Sequence, residues 1–165
     1  MRIILSLLII LLLSGCVSTS KNIKLTQVVK GYFDIYSKRE DFNKFMTYYA
    51  DNAQFKDIIY GNSFKNKVAI GNFLNWNKGE FKILNGNSAL TVTRHTFGKN
   101  TAITEGFFHA FSYDGEKLGP WLFIITQEFD YNNKIIQQTD WINYTPRGNF
   151  LGGKNMNDEL VIKQL

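Results

Sequence analysis

Two histidines, His95 and His109, and one cysteine, Cys16, are all this chain offers of the side chains that most often bind metals or attack as nucleophiles. Glu105 and His109 lie four apart in what reads as one strand, about 13 Å at ~3.3 Å per residue, so they cannot share one ion. His95 falls on a neighbouring predicted strand. There is no H-E-x-x-H and no second cysteine, so no metal site is expected. Gly152-Gly153-Lys154 lacks the spacing and the Ser/Thr of a phosphate loop. No cofactor is expected.

Composition narrows the partners. The chain has 165 residues, with 19 Lys and Arg against 14 Asp and Glu. The lysines are scattered, whereas nucleic-acid binding usually needs a basic patch or stripe, so no nucleic acid is expected. Arg2 precedes an apolar run, Ile3 to Leu13, broken only by Ser6. That run is too short to span a hydrocarbon core, which needs about 20 apolar residues, but it suits a signal peptide. Leu13-Ser14-Gly15-Cys16 resembles the lipobox of bacterial lipoproteins, in which the peptide is cut before a cysteine that becomes lipidated. The resemblance implies a signal peptide over 1–15, lipidation at Cys16 and a polar tether over 16–24. The expected location is the cell envelope, with the lipid membrane as partner. Val17 after the cysteine would direct a Gram-negative lipoprotein to the outer membrane, facing the periplasm. The mature chain, about 150 residues, suggests one domain. With 14 Phe, 8 Tyr and 3 Trp it has ample material for one core.

The elements follow from periodicity. From Thr26, which suits an N-cap, apolar residues recur at Val28, Val29, Tyr32, Phe33 and Tyr36, a helical spacing. Asp41 can cap a second helix whose stripe is Phe42, Phe45, Met46 and Tyr49. Ala53 to Lys56 reads as a short strand. Asn66 can cap a third helix, with Ile70, Phe73 and Leu74 on one face. Beyond Gly79 the period changes. Strands are expected near Ala89–Phe97, Thr101–Tyr113, Trp121–Tyr131 and Lys134–Tyr144, separated by Gly, Asn and Asp turn signals. Helices first and a meander afterwards give an α+β domain, helices packed on one face of a curved antiparallel sheet. Residues 146–165 read as a C-terminal tail, with a lid as the alternative.

Several motifs in this order resemble the nuclear-transport-factor-2-like superfamily, which includes ketosteroid isomerases, SnoaL-like polyketide cyclases and limonene-epoxide hydrolases. They are Val28-Val29-Lys30-Gly31-Tyr32-Phe33, the run Tyr49 to Asp57, Lys67-Val68-Ala69-Ile70, the run Phe129 to Ile135, and Asp140-Trp141. The resemblance covers roughly Leu25 to Tyr144, within a domain set at 25–145. It implies a cone-shaped domain, three N-terminal helices under a strongly curved sheet, with a pocket lined by Tyr36, Phe108, Trp121, Phe123 and Ile125. It also implies an outer sheet face that forms a homodimer contact in many relatives, carrying Phe107 and Phe111.

Ketosteroid isomerases have a tyrosine on the first helix and an aspartate base at the end of the first strand. Tyr32 and Asp57 fall there, and the family's second oxyanion donor falls at Ile125. A carboxylate facing an apolar pocket loses hydration and becomes a stronger base. A phenol can hold the oxyanion that develops. Epoxide hydrolases resemble the chain at Asp140 and Glu105, but Gly106 and Phe108 stand at their Arg and Asp positions. SnoaL-like cyclases use a single aspartate, for which Asp140 or Asp57 could serve. Each residue also has a structural alternative. Asp57 suits a strand end that caps a turn toward Gly61, Asp140 suits a partner on a strand edge, and Tyr32 suits the core.

The function expected of such a domain is binding of a small apolar molecule in the cone. The alternative is cofactor-independent acid–base catalysis by Asp57 with Tyr32, or by Asp140. A third reading is an envelope protein whose sheet face meets a partner.

Overall fold

The computed structural model describes residues 24–144 together with Asn157 and Leu160. The expected signal peptide, Cys16 and all of the expected tether over 16–24 except Lys24 lie outside the described residues, as does most of the segment after Tyr144.

Helix α1 covers residues 24–38. It buries Leu25, Val29, Tyr32, Phe33 and Tyr36 as one stripe. It stops at Arg39, whose φ of 55° is left-handed and whose N–H returns to the Ile35 carbonyl at 3.0 Å. That is the geometry of a helix C-terminal cap, usually filled by glycine. Helix α2, Phe42–Met46, is capped by the Asp41 side chain, which accepts from the Lys44 N–H.

The apolar stripe of α2 was expected to run on to Tyr49. The sheet overrides it. Ile135 donates to the Tyr48 carbonyl at 2.8 Å and Lys134 Nζ to that of Thr47 at 2.5 Å. Tyr49 therefore opens strand β1, Tyr49–Asp57, longer than the expected Ala53–Lys56. A register irregularity between Tyr49 and Gln54 disturbs the alternation that would have shown its first half. Strand β2, Asn62–Lys65, pairs back on β1. Helix α3, Lys67–Leu74, starts at the Asn66 side chain, which accepts from the Ala69 N–H.

Strands β3 (Phe81–Ile83), β4 (Leu90–Phe97), β5 (Thr101–Phe108), β6 (Phe111–Tyr113), β7 (Glu116–Leu118), β8 (Trp121–Phe129) and β9 (Ile135–Ile142) complete the domain. The main sheet has the order β2-β1-β9-β8-β5-β4, and β3-β6-β7 form a small second sheet. Neighbours are antiparallel except β1 and β9, which run parallel. The meander brings its last strand back beside the first one, pointing the same way. The domain is thus α+β, with helices packed on one side of a curved sheet, as expected.

The run Thr101–Tyr113 was expected to be one strand, and it breaks at a corner. The His109 N–H bonds the Ala89 carbonyl at 3.0 Å, and the Ala110 carbonyl accepts from Leu84 at 3.2 Å. The chain thereby leaves the main sheet after Phe108 and enters the small one at Phe111. Phe111 is consequently not on the outer sheet face. It is buried, 5.2 Å from the Phe81 ring and 5.4 Å from that of Trp121.

Alternation then sorts the sheet. Phe108, Phe123, Ile125, Gln127, Gln138, Asp140 and Ile142 are buried toward the helices. Their neighbours Ile103, Glu105, Ile124 and Trp141 face the other way, with Ile124 and Trp141 about half exposed (47% and 49%). After the last strand, the buried side chain of Asn157 accepts from the Leu122 N–H at 3.0 Å and donates to the Asn143 carbonyl at 2.8 Å. At that residue the C-terminal segment is tied to the ends of β8 and β9.

Candidate active site

A cavity of about 200 Å³ opens between α1, α3, the small sheet and the ends of β1 and β9. Aromatic rings form most of its wall: Tyr36, Phe55, Phe73, Trp76, Phe81, Phe111, Tyr113 and Tyr144. Two carboxylates, Asp57 and Asp140, and one cation, Arg39, also line it.

The two aspartates are register partners on the parallel strands β1 and β9. That places their backbones about 4.8 Å apart. Both are only 2% exposed. Asp57 accepts three hydrogen bonds. Its Oδ1 takes the Ile59 and Tyr60 N–H groups at 3.1 and 3.2 Å, and its Oδ2 takes the Tyr144 hydroxyl at 3.1 Å. Every partner is a donor, the set that a carboxylate anion accepts. Tyr144 keeps its proton, since burial first and then the nearby Asp57 raise its pKa.

Asp140 has a different environment. Its described side-chain bond is from Gln138 Nε2 to Oδ1 at 2.9 Å. Burial pushes its carboxyl from an ordinary 3.8 up to about 8, and the Asp57 charge adds to the rise, while the Gln138 bond opposes it. The pair therefore sets one buried acid, Asp140, beside a carboxyl group, Asp57, whose hydrogen-bond partners all donate.

Gln138 is held in turn from the core. Its Oε1 accepts from Tyr49 at 2.8 Å, Gln127 Nε2 at 3.0 Å and Tyr32 at 3.1 Å. The Tyr32 and Tyr49 hydroxyls also touch at 2.9 Å. Burial raises the pKa of both phenols, so both stay protonated. This buried polar chain leads from Tyr32 through Gln138 to Asp140.

The structure therefore places the candidate residues unevenly. Asp57, Asp140 and Tyr36 line the cavity. Tyr32 does not meet Asp57, and the phenol on Asp57 is that of Tyr144. Tyr32 reaches Asp140 through Gln138 instead. Phe108, Phe123 and Ile125 lie in the solid core behind the wall, with the Phe108 and Phe123 rings 5.3 Å apart. Trp121 packs edge-on behind Tyr144 at 4.8 Å and Phe111 at 5.4 Å.

Gly106 stands where epoxide hydrolases carry arginine, and it has no room for a side chain. An added Cβ would overlap the Thr91 carbonyl oxygen and the Phe123 ring. Glu105 faces the outer side, where Arg94 Nε donates to it at 3.0 Å. His95 bonds Thr104 at 2.9 Å and His109 bonds Thr91 at 2.8 Å. Among the described residues no three His, Cys, Asp or Glu side chains gather at one point.

A larger hollow, about 480 Å³, lies on the outer face around Ile59, Leu122, Ile124 and Trp141. Its one carboxylate, Glu105, is engaged by Arg94. It offers no second acid–base group, so the smaller inner cavity is the candidate site.

Solved structures give this architecture a precedent. An NTF-2-like protein of unknown function from Burkholderia xenovorans superposes with a TM-score of 0.58 at 19% identity, over 82% of this chain and 98% of that one. The chain has the nuclear-transport-factor-2-like fold. A protein of Shewanella putrefaciens described as a SnoaL-like polyketide cyclase shares the fold at TM-score 0.60 and 16% identity, covering 84% of this chain and 97% of its own. One from Kribbella flavida described as a ketosteroid isomerase does so at 0.54 and 14%, over 81% and 92%. No family model matches the chain, and no curated protein matches its sequence. The nuclear-transport-factor-2-like fold hosts many activities, so the site has to carry the functional argument.

Sequence reading overlooked Gln138, Gln127, Tyr49, Tyr144 and Arg39. A signal for the two glutamines was present in strand parity. Gln127 shares its face with Phe123 and Ile125, and Gln138 shares its face with Asp140. A polar side chain at a core-facing position needs a buried partner.

Proposed function

We propose that this domain is a cofactor-independent acid–base enzyme acting on a small molecule held in the inner cavity. The observation that carries the reading is the asymmetric carboxylate pair. Asp57 accepts from two backbone amides and Tyr144, whereas Asp140 is a buried acid shifted to about 8. Burying two carboxyl groups side by side costs stability, and such perturbed pairs cluster at functional sites. Asp57 is the base that removes a proton from carbon. Asp140 donates a hydrogen bond to the oxygen on which negative charge develops. In isomerases of this fold the second donor sits at the position of Ile125. Here its register partner across the sheet, Asp140, supplies the acidic proton instead.

The cavity is aromatic but not apolar throughout, which favours turnover over simple storage of a greasy molecule. Its volume of about 200 Å³ lies below the roughly 300–1,000 Å³ of drug-sized pockets, so the substrate is small. We further propose that Cys16 tethers this enzyme to the envelope membrane.

The test is solvent deuterium exchange into a panel of small enolisable carbonyl compounds, followed by mass spectrometry. Asp57→Asn should slow exchange by about 10²–10⁴-fold, the usual contribution of a placed general base. If the wild-type chain exchanges none of them faster than the Asp57→Asn, Asp140→Asn double variant, the acid–base reading is wrong.

A further inference from the structure

Arg39 lines the same cavity as the two aspartates. Its guanidinium carbon is 4.5 Å from the Tyr36 ring centre, 5.2 Å from Trp76, 5.1 Å from Phe81 and 5.8 Å from Phe108. Its side chain enters no ion pair among the described residues. Its Nε is buried with no hydrogen-bond partner, and so is Nε1 of its neighbour Trp76. A buried donor without an acceptor is destabilising, because it gives up its bonds to water and gains none in return. Two of them on residues of one cavity call for an explanation beyond packing.

The backbone points the same way. Arg39 occupies the left-handed cap of α1 at φ 55°, where glycine would fit without strain. A strained non-glycine residue at the wall of a cavity is held there by what its side chain does. Stacking on rings accounts for the position of the guanidinium but leaves its Nε without an acceptor. The Asp57 and Asp140 carboxylates form no ion pair with it.

We infer that Arg39 receives the anionic end of the ligand, so that the molecule bound here is a small carboxylate on an aromatic or unsaturated body. The guanidinium fork matches a carboxylate in two parallel bonds. The aromatic walls take the flat body. A singly charged group fits better than a phosphate dianion, since Asp57 faces the same small space. Its acidic C–H or carbonyl end then points to the aspartates. That last step rests on the acid–base reading, whereas capture of the carboxylate by Arg39 does not.

The test uses the full chain in detergent micelles, with benzoate and benzamide as probes, ligand-observed NMR as the readout and empty micelles as the blank. Benzoate should bind about tenfold to a hundredfold more tightly than benzamide, the effect of a charge-assisted bond pair. Arg39→Gln should bring benzoate down to the level of benzamide and leave benzamide within about twofold. Asp140→Asn should keep the preference for benzoate. Equal binding of the two probes, binding of neither, or an unchanged benzoate affinity in Arg39→Gln would overturn the inference. If Arg39→Gln does not fold, the wild-type comparison still decides. Loss of deuterium exchange with the benzoate preference intact would remove the acid–base reading alone.

Discussion

Asp57 and Asp140 share a residue type, a pair of strands and a burial, yet their bonds differ. The donor-only surroundings of Asp57 come from a turn, Ile58 to Gly61, that aims two amides at Oδ1, and from the Tyr144 hydroxyl at Oδ2. Asp140 has no such turn and is left with Gln138. The sign of its stability effect follows. Between about pH 4 and about 8 the unfolded carboxyl is ionised while the folded one keeps its proton. The folded state then binds more protons, so stability falls as pH rises through that window, by at most about 1.4 kcal/mol per unit. Asp140→Asn should flatten this slope in urea titrations run at several pH values. Gln138→Leu should strand the Tyr32 and Tyr49 hydroxyls and the Gln127 amide. We expect a loss of about 1–3 kcal/mol. With the Gln138 bond gone, the Asp140 midpoint should also move above about 8. The roles of Asp57 and Asp140 as candidates were legible from their places in the chain. Their difference was not, because it depends on which amides and which tyrosine the fold brings to them.

At the scale of elements, caps and apolar stripes were readable because they act within one turn of the chain. Asp41 and Asn66 cap the helices they were expected to cap, whereas Thr26, expected to cap α1, lies inside it, because the helix already includes Lys24 and Leu25. The failures lie where one element answers to another. Tyr49 continues a helical stripe but pairs with Ile135. Phe111 continues a β run but turns into the second sheet. The parallel β1–β9 pair leaves no local mark at all, although it sets Asp57 beside Asp140. Gly106 shows how tightly the inner face is filled. Gly106→Ala should destabilise the domain by about 1–3 kcal/mol through overpacking against the Thr91 backbone and Phe123, seen as a lower thermal midpoint.

For the whole molecule, the proposal joins a membrane tether to a small aqueous-facing pocket. Among the described residues no helix is long and apolar enough to cross a membrane. We propose that a lipid at Cys16 attaches the protein to the membrane. Cys16→Ala should shift the protein from the membrane pellet to the soluble or precursor fraction, because several acyl chains hold a protein where none remains to do so. The outer sheet face, with Ile124 and Trp141 half exposed, is where we propose a second copy would pack. Sedimentation of the full chain in detergent should show a dimer that Trp141→Glu dissociates.

The central claim is that the inner cavity holds an acid and a base as neighbours at neutral pH. Carboxyl ¹³C NMR of the full chain, with Asp140→Asn to assign the signal, tests it most directly. The account predicts a midpoint near 8 for Asp140. A midpoint near the ordinary value of about 4 would leave two charged carboxylates in the cavity and no acid, and would contradict it.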